Sequence, residues 1–202
     1  RLTDVTGVQT CALPISAAYR RGINYTGDQS AALVLWAPYK ESVFVLGDFN
    51  NWEVNNAYQM KKDGDWFWLD VTGLVKGQPY VFQYLIDGQI RIADPYTMQT
   101  SDPNDQYIST VTYPGLPEYP TGKAQGVASV LETGQTPYAW EVTTFTPPAE
   151  DRLVIYELLI RDFTTERSYQ AVIGKLDYLQ ELGVNVLELM PVNEFEGNLS
   201  WG

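Results

Sequence analysis

The chain has 202 residues with 13 Lys and Arg, 25 Asp and Glu, no His and one Cys, which gives a formal net charge of −12. This composition excludes a catalytic histidine, a Cys/His zinc site and an intramolecular disulfide, and it disfavours binding to nucleic acid or to a membrane, because few cations can neutralise phosphates. The 45% hydrophobic content predicts a folded chain, and no apolar run approaches the roughly 20 residues of a membrane span.

The first sixteen residues do not look like part of a folded protein. The chain begins without Met, and the stretch from Asp4 to Ile15 resembles the translation of a sequencing adapter. We therefore expect residues 1–16 to be an adapter-derived artefact that includes Cys11, with a disordered native extension as the alternative. On this interpretation the true start is missing, and the localisation stays unknown, with a cytoplasmic and an extracellular or periplasmic address both open.

Residues 17–115 are assigned to one antiparallel β-sandwich module. From about Ser30 to Tyr113 apolar and polar residues alternate with a period of two, and turn residues interrupt the pattern at short intervals. The dipeptide Asp87-Gly88 indicates a tight hairpin. The predicted strands are Ala32–Ala37, Ser42–Gly47, Trp66–Val71, Tyr80–Ile86, Gln89–Ile92 and Tyr107–Tyr113.

Residues 116–150 are predicted to be a proline-rich connector. Six of the twelve prolines lie between Pro114 and Pro148, so we expect an extended segment with at most one short strand, around Val127–Leu131.

Residues 151–202 follow a different pattern, that of one βαβ unit. The almost continuous apolar run Leu153–Ile160 predicts a strand buried on both faces of a parallel sheet. A helix is expected from its N-cap Ser168 to Leu182, with Gly183 as the residue that ends it, followed by a second strand, Val184–Met190. Because such a unit leaves strand edges and a sheet face uncovered, it predicts the opening of a larger domain.

Two separated stretches resemble the α-amylase superfamily of glycoside hydrolases (family 13), in those members that carry an N-terminal Ig-like module related to family-48 carbohydrate-binding modules. The resemblance covers about residues 30–202. In the sandwich it rests on Val45–Trp52, Tyr84–Gly88 and Asp94–Tyr96, and in the second part on Val154–Phe163, Leu176–Asn185, Leu187–Gly197 and Ser200–Gly202.

The resemblance implies an Ig-like β-sandwich followed by the first β-α-β unit of a truncated (β/α)8 TIM barrel. It also implies a retaining hydrolase of α-1,4-glucans such as starch, glycogen and maltooligosaccharides, with an Asp nucleophile, a Glu acid and a second Asp on later barrel strands. Those carboxylates are expected beyond Gly202, so the fragment itself is predicted to be inactive. No cofactor is evident, and calcium stays open for a full-length protein.

The candidate carbohydrate-binding residues are Trp52, Trp66, Trp68 and Trp201; Trp66 and Trp68 share one face of a predicted strand, either as a sugar-stacking stripe or as a packing surface. Trp52 matches a ring that stacks on glucose in glucan-binding members, which use a Lys and a second Trp beside it. Here those two positions are Gln83 and Ile90. These departures favour a structural role for Trp52 and a domain-packing role for Trp66 and Trp68 over sugar binding.

Asn193, Glu194 and Glu196 lie in the loop that follows the second barrel-like strand. Two carboxylates two residues apart on a loop do not fix the ~5 Å separation that a retaining pair needs, so we expect these residues to shape an active-site loop and assign no catalytic residue. Three alternatives stay open: a non-catalytic glucan-binding module, a branching or debranching enzyme of the same superfamily, and an Ig-like protein-interaction module.

Overall fold

The computed structural model describes residues 14–111 and 113–192. The chain divides into two compact units, Arg1–Pro137 and Tyr138–Gly202, and each is described by itself. Within the described ranges, no helix is both long and apolar enough to cross a bilayer.

The first unit contains two antiparallel sheets. The four-stranded sheet has the order β1-β2-β5-β4, and the second has the order β3-β6-β9-β8, with β7 paired to the C-terminal part of β6. The strands are Gly22–Gly27 (β1), Ser30–Trp36 (β2), Val43–Gly47 (β3), Lys61–Asp63 (β4), Trp66–Thr72 (β5), Pro79–Ile86 (β6), Ile90–Ile92 (β7), Thr100–Ser101 (β8) and Ala128–Glu132 (β9).

The core of this unit consists of alternate residues from both sheets, as a β-sandwich requires. In β5, Phe67, Leu69 and Val71 are buried in it, which confirms the face predicted from the alternation. The other strands contribute Ala31, Leu33, Leu35, Val43, Val45, Tyr80, Phe82, Tyr84, Ile86 and Leu131 to the same cluster. The antiparallel sandwich predicted from the sequence is therefore confirmed.

The hairpin predicted at Asp87-Gly88 is also confirmed. Both residues have positive φ angles, 48° and 68°, and Gln89 N donates to Ile86 O at 3.0 Å to close the turn. Two consecutive left-handed residues match the twist of the flanking strands, which explains why this dipeptide joins β6 to β7.

The last strand of the sandwich is not where the sequence predicted it. The described residues of this range, 107–111 and 113, form no strand. A 3₁₀-helix spans Pro103–Tyr107, and its start is fixed by Asp102, whose side chain accepts from Asn104 N at 2.8 Å. The sheet is completed instead by β9, the short strand expected inside the connector, which pairs with both β6 and β8. The sandwich thus extends past the predicted boundary at residue 115.

The second unit holds two parallel strands joined by helices. Strands Ile155–Leu158 (β10) and Val186–Leu189 (β11) pair in parallel, with Ile155 opposite Val186. Between them lie the helices Ile160–Phe163 (α1), Tyr169–Ile173 (α2) and Leu176–Glu181 (α3). This is the β-α-β order expected from the sequence, and its assignment to a (β/α)8 barrel stays a prediction.

Two details of this unit differ from the prediction. The helix expected from Ser168 to Leu182 is split between α2 and α3 at Gly174, although Ser168 does cap it, accepting from Ala171 N at 3.2 Å. Strand β10 was expected to be buried on both faces, yet Ile155 is 55% exposed. The reason is that β10 and β11 form a two-stranded sheet among the described residues, so few apolar neighbours cover it.

Candidate functional site

The loop after β3 holds Trp52, the first predicted sugar-stacking residue, in a fixed position. A 3₁₀-helix at Asp48–Asn50 is followed by Asn51 and Trp52, both left-handed, with φ angles of 54° and 63°. Trp52 Nε1 donates to Asp48 Oδ1 at 2.9 Å, and Val81 N donates to Asp48 Oδ2 at 2.7 Å. A left-handed conformation is unfavourable for a bulky residue, so these bonds stabilise a strained turn.

Gly47 and Asn50 determine the shape of this loop. A Cβ at Gly47 would lie 2.8 Å from both Phe82 Cβ and Val81 O, so only glycine fits between β3 and β6. Asn50 Oδ1 accepts from Gly47 N at 2.9 Å, and Asn50 Nδ2 donates to Val45 O at 2.9 Å. The Gly-Asp-Phe-Asn-Asn-Trp stretch therefore encodes a rigid turn.

The ring of Trp52 lies against the outer face of the second sheet. It is only 8% exposed and belongs to an apolar cluster that is separate from the main core. The other buried members of this cluster are Leu46, Val81, Leu85, Ala128 and Val130. A ring buried to this degree offers little open surface on which a pyranose could stack.

Gln83 occupies the same face on β6 and is completely buried. Its Nε2 donates to Gln125 O at 2.7 Å and to Val127 O at 2.8 Å, and Gln125 N donates to Gln83 Oε1 at 3.1 Å. The side chain thus uses both of its amide protons and its oxygen to hold another part of the chain. Ile90, the other position at which the sequence departs from glucan-binding members, is exposed.

Residues 119–127, here called the covering segment, lie on this face just before β9. Arg91 donates to Lys123 O, Tyr119 OH donates to Gly126 O at 2.9 Å, and Ala124 packs against the cluster that contains Trp52. The surface that resembles a glucan platform is therefore occupied by the protein's own connector, and sequence analysis gave no signal for this contact.

The predicted residues Trp66 and Trp68 lie on the outer face of the other sheet, which separates them from Trp52. Trp68 is 8% exposed: Lys61 Nζ lies 3.9 Å from its ring centroid, and the Tyr19 ring meets it edge-on with centroids 6.3 Å apart. Tyr19 OH also donates to Asp70 Oδ1 at 2.9 Å. The N-terminal residues thus cover Trp68, which removes its ring from solvent.

Trp66 belongs to a more open part of that face, together with Trp36, which the sequence analysis did not select. Trp36 is 53% exposed and lies directly opposite Trp66 in the pairing of β2 and β5. Arg21 Cζ lies 5.2 Å from the centroid of the Trp66 ring, and Arg21 Nη1 donates to Tyr96 OH at 3.3 Å. The alternation of β2 could have placed Trp36 on the outer face, but the register with β5 was needed to pair it with Trp66.

Asp94, the first residue of the Asp-Pro-Tyr triplet, is buried and fully engaged. Tyr84 OH donates to Asp94 Oδ2 at 2.7 Å, Tyr96 N donates to Asp94 Oδ1 at 2.7 Å, and Asp94 N donates to Ser129 Oγ at 2.6 Å. Burial raises the pKa of Asp94 although both bonds to its carboxylate act in the opposite direction, and burial raises the pKa of Tyr84 well above its usual value. These contacts join three parts of the second sheet, which indicates a structural role.

The remaining predicted site residues, Asn193, Glu194, Glu196 and Trp201, lie outside the described residues. Across residues 14–111 and 113–192, no group of three or more His, Cys, Asp or Glu side chains is placed to hold a metal ion.

Comparison with known proteins finds a family model that matches part of the first unit. Residues 21–97 match carbohydrate-binding module 48, described as the isoamylase N-terminal domain. The chain is 29% identical over 146 residues to the malto-oligosyltrehalose trehalohydrolase of Saccharolobus solfataricus, covering 72% of this chain and 22% of that protein. It is 39% identical over 77 residues to isoamylase 1 of Arabidopsis thaliana, covering 34% of this chain and 10% of that protein.

Solved structures show the same architecture. A Salmonella typhimurium protein assigned as an α-amylase superposes with a TM-score of 0.62 at 27% identity, covering 90% of this chain and 26% of that chain. The GBS pullulanase SAP, solved with maltotetraose, gives a TM-score of 0.60 at 19% identity, covering 88% and 24%. The chain thus spans about a quarter or less of these relatives. The resemblance to the α-amylase superfamily is confirmed.

Proposed function

We propose that this chain, whose residues 21–97 match carbohydrate-binding module 48, is the N-terminal part of an α-glucan-active glycoside hydrolase of the α-amylase superfamily. In this proposal residues 151–202 open a (β/α)8 catalytic barrel whose later strands supply the reacting carboxylates. The substrate class is α-1,4-linked glucan, and the stereochemical course is retention.

The parallel pairing of β10 with β11 carries the proposal. Parallel neighbours need a crossover connection, and the helices α1, α2 and α3 provide it. The apolar residues Val154 and Ile155 are exposed beside this pair. An antiparallel binding module has no use for such a unit, whereas a barrel would cover these residues with further strands and helices. This observation favours a hydrolase over a free-standing glucan-binding or protein-interaction module.

The chemistry follows from the superfamily mechanism. An Asp attacks the anomeric carbon while a Glu about 5–5.5 Å away protonates the leaving oxygen, and water then releases the sugar with its configuration retained. In this chain we assign Asn193, Glu194 and Glu196 to the loop beside the substrate and assign none of them to proton transfer. Trp201 is proposed to lie in the same cleft.

Hydrolysis assays test the proposal. The longer gene product that contains residues 17–202 should cleave maltoheptaose and soluble starch, and proton NMR should detect the α-anomer first. Purified residues 1–202 should cleave neither substrate. Parallel assays on pullulan, whose α-1,6 bonds a debranching enzyme attacks, would separate the two activities within the superfamily.

Two results would contradict the proposal. Cleavage of maltoheptaose by purified residues 1–202 would place catalytic groups inside this chain. Failure of the longer product to cleave either α-1,4 or α-1,6 glucans, while it folds normally, would remove the assigned substrate class.

A further inference from the structure

An aromatic patch lies at one end of the outer face of the four-stranded sheet, and the hydrolase proposal does not use it. It consists of Trp36, Trp66, Arg21 and Tyr96, here called the indole patch. We propose that the indole patch is a non-catalytic binding site for a chain of α-1,4-linked glucose. The choice of ligand rests on the proposed function, whereas the existence of a site rests on the geometry below.

The two indoles form a pair on adjacent strands. Trp36 in β2 lies directly opposite Trp66 in β5, and such cross-strand neighbours have Cβ atoms about 4.5–5.5 Å apart. The preceding residue of β2, Leu35, points into the core, so Trp36 points outward, where it is 53% exposed. A large apolar ring exposed to this extent, beside a second ring, is the surface on which the apolar face of a pyranose stacks.

A cation is already positioned beside the pair. Arg21 lies over the Trp66 ring at 5.2 Å and donates to Tyr96 OH at 3.3 Å, so its guanidinium is held by two contacts. Guanidinium carries five N–H donors, and Nη1 is the group that bonds to Tyr96. In the proposed complex the remaining donors bond to hydroxyls of a sugar that stacks beside Trp66. Stacking plus oriented hydrogen-bond donors is the chemistry that recognises a neutral oligosaccharide.

The open part of this face is centred on Trp36. The neighbouring ring on the same face, Trp68, is covered by Tyr19 and Lys61 of the chain itself and is 8% exposed. Trp66 is partly exposed and Trp36 is 53% exposed. We therefore expect the glucan to stack on the surface around Trp36 and Trp66.

Titration of residues 1–202 with maltoheptaose tests the inference, with heat and tryptophan fluorescence as the two readouts. We expect saturable binding that Trp36→Ala weakens at least about tenfold, equivalent to about 1.4 kcal/mol. Arg21→Ala should weaken it by a smaller factor. Trp140→Ala is the matched control, because Trp140 is 74% exposed and lies in the other unit; it should change the affinity less than about twofold, or about 0.4 kcal/mol. Near-UV circular dichroism verifies that each variant folds.

Three outcomes would overturn the inference. The first is no binding of maltoheptaose up to about 10 mM, a concentration at which even a millimolar site would be occupied. The second is equal binding by the parent chain and Trp36→Ala, which would place the glucan elsewhere. The third is a dimer in light scattering that Trp36→Ala dissociates, which would make the patch a protein contact. None of these measures hydrolysis, so the hydrolase proposal is tested separately by the activity of the longer product.

Discussion

Replacing Gln83 by Ala tests whether the covering segment is an integral part of the sandwich. The substitution removes three hydrogen bonds, two donated by Nε2 to Gln125 O and Val127 O and one accepted by Oε1 from Gln125 N. A neutral hydrogen bond contributes about 1 kcal/mol net, so the free energy of unfolding should fall by about 3 kcal/mol.

Urea unfolding of residues 1–202, followed by tryptophan fluorescence, measures the change. Hydrogen exchange of the Gln125 amide locates it, since that N–H should exchange faster once its acceptor is removed. Gln106→Ala is the matched control, because Gln106 is exposed and donates a single hydrogen bond, to Pro103 O at 3.0 Å. Its cost should stay within about 0.5 kcal/mol.

A second substitution, Gln83→Glu, separates loss of contact from the effect of charge. A carboxylate there would face the carbonyls of Gln125 and Val127 without a proton to donate, and its burial would raise its pKa. The Glu variant should therefore be less stable than the Ala variant at neutral pH and recover as the pH falls. The reasoning would be refuted if Gln83→Ala cost no more than Gln106→Ala and left exchange at Gln125 unchanged.

Two further predictions concern the second sheet. Burial raises the pKa of Asp94 above the usual 3.8, so the stability that this group contributes is full below about pH 4 and is lost as the pH rises through the raised value. Asp94→Asn should therefore flatten that part of a curve of Tm against pH. An unchanged slope in the Asn variant would contradict the raised pKa. Gly47→Ala should lower the free energy of unfolding in urea by about 2 kcal/mol, because its Cβ would overlap Phe82. In the control Gly64→Ala the new Cβ meets open space, so the loss should be only about 1 kcal/mol, caused by the positive φ angle. Equal losses for the two variants would show that β3 and β6 can separate.

The strands of the sandwich that bury apolar residues could be predicted from sequence, including β3 at the edge of its sheet. Alternation in β5 places Phe67, Leu69 and Val71 in the core, so its register is specified by burial. Strands β1 and β4 were missed because they bury little: β1 packs on the core mainly through Ile23, and β4 is three residues long with two lysines. Short or polar edge strands lack the hydrophobic signal on which such predictions depend.

Which of the candidate sugar-binding rings are buried and which are exposed depends on contacts between residues far apart in the sequence. The departure at Gln83 could be seen in the sequence, but its partners Gln125 and Val127 lie 42 and 44 residues further along the chain. The same holds for Trp36, whose pairing with Trp66 depends on the register between β2 and β5. The resemblance therefore selected Trp52, whereas long-range pairing decides which rings stay open.

Gln83 and the indole patch lie on different sheets of the sandwich, and the contacts around each differ. A lysine at position 83 would have no acceptor role toward Gln125 N, so the hydrogen-bond pattern that seats the covering segment requires an amide that donates and accepts at once. The covering segment leads directly into β9, which pairs with β6 and completes the second sheet. On the first sheet, Arg21 lies over the ring of Trp66 and bonds to Tyr96, while Trp36 stays 53% exposed. The open aromatic surface therefore lies on the first sheet, whereas Trp52 is buried on the second.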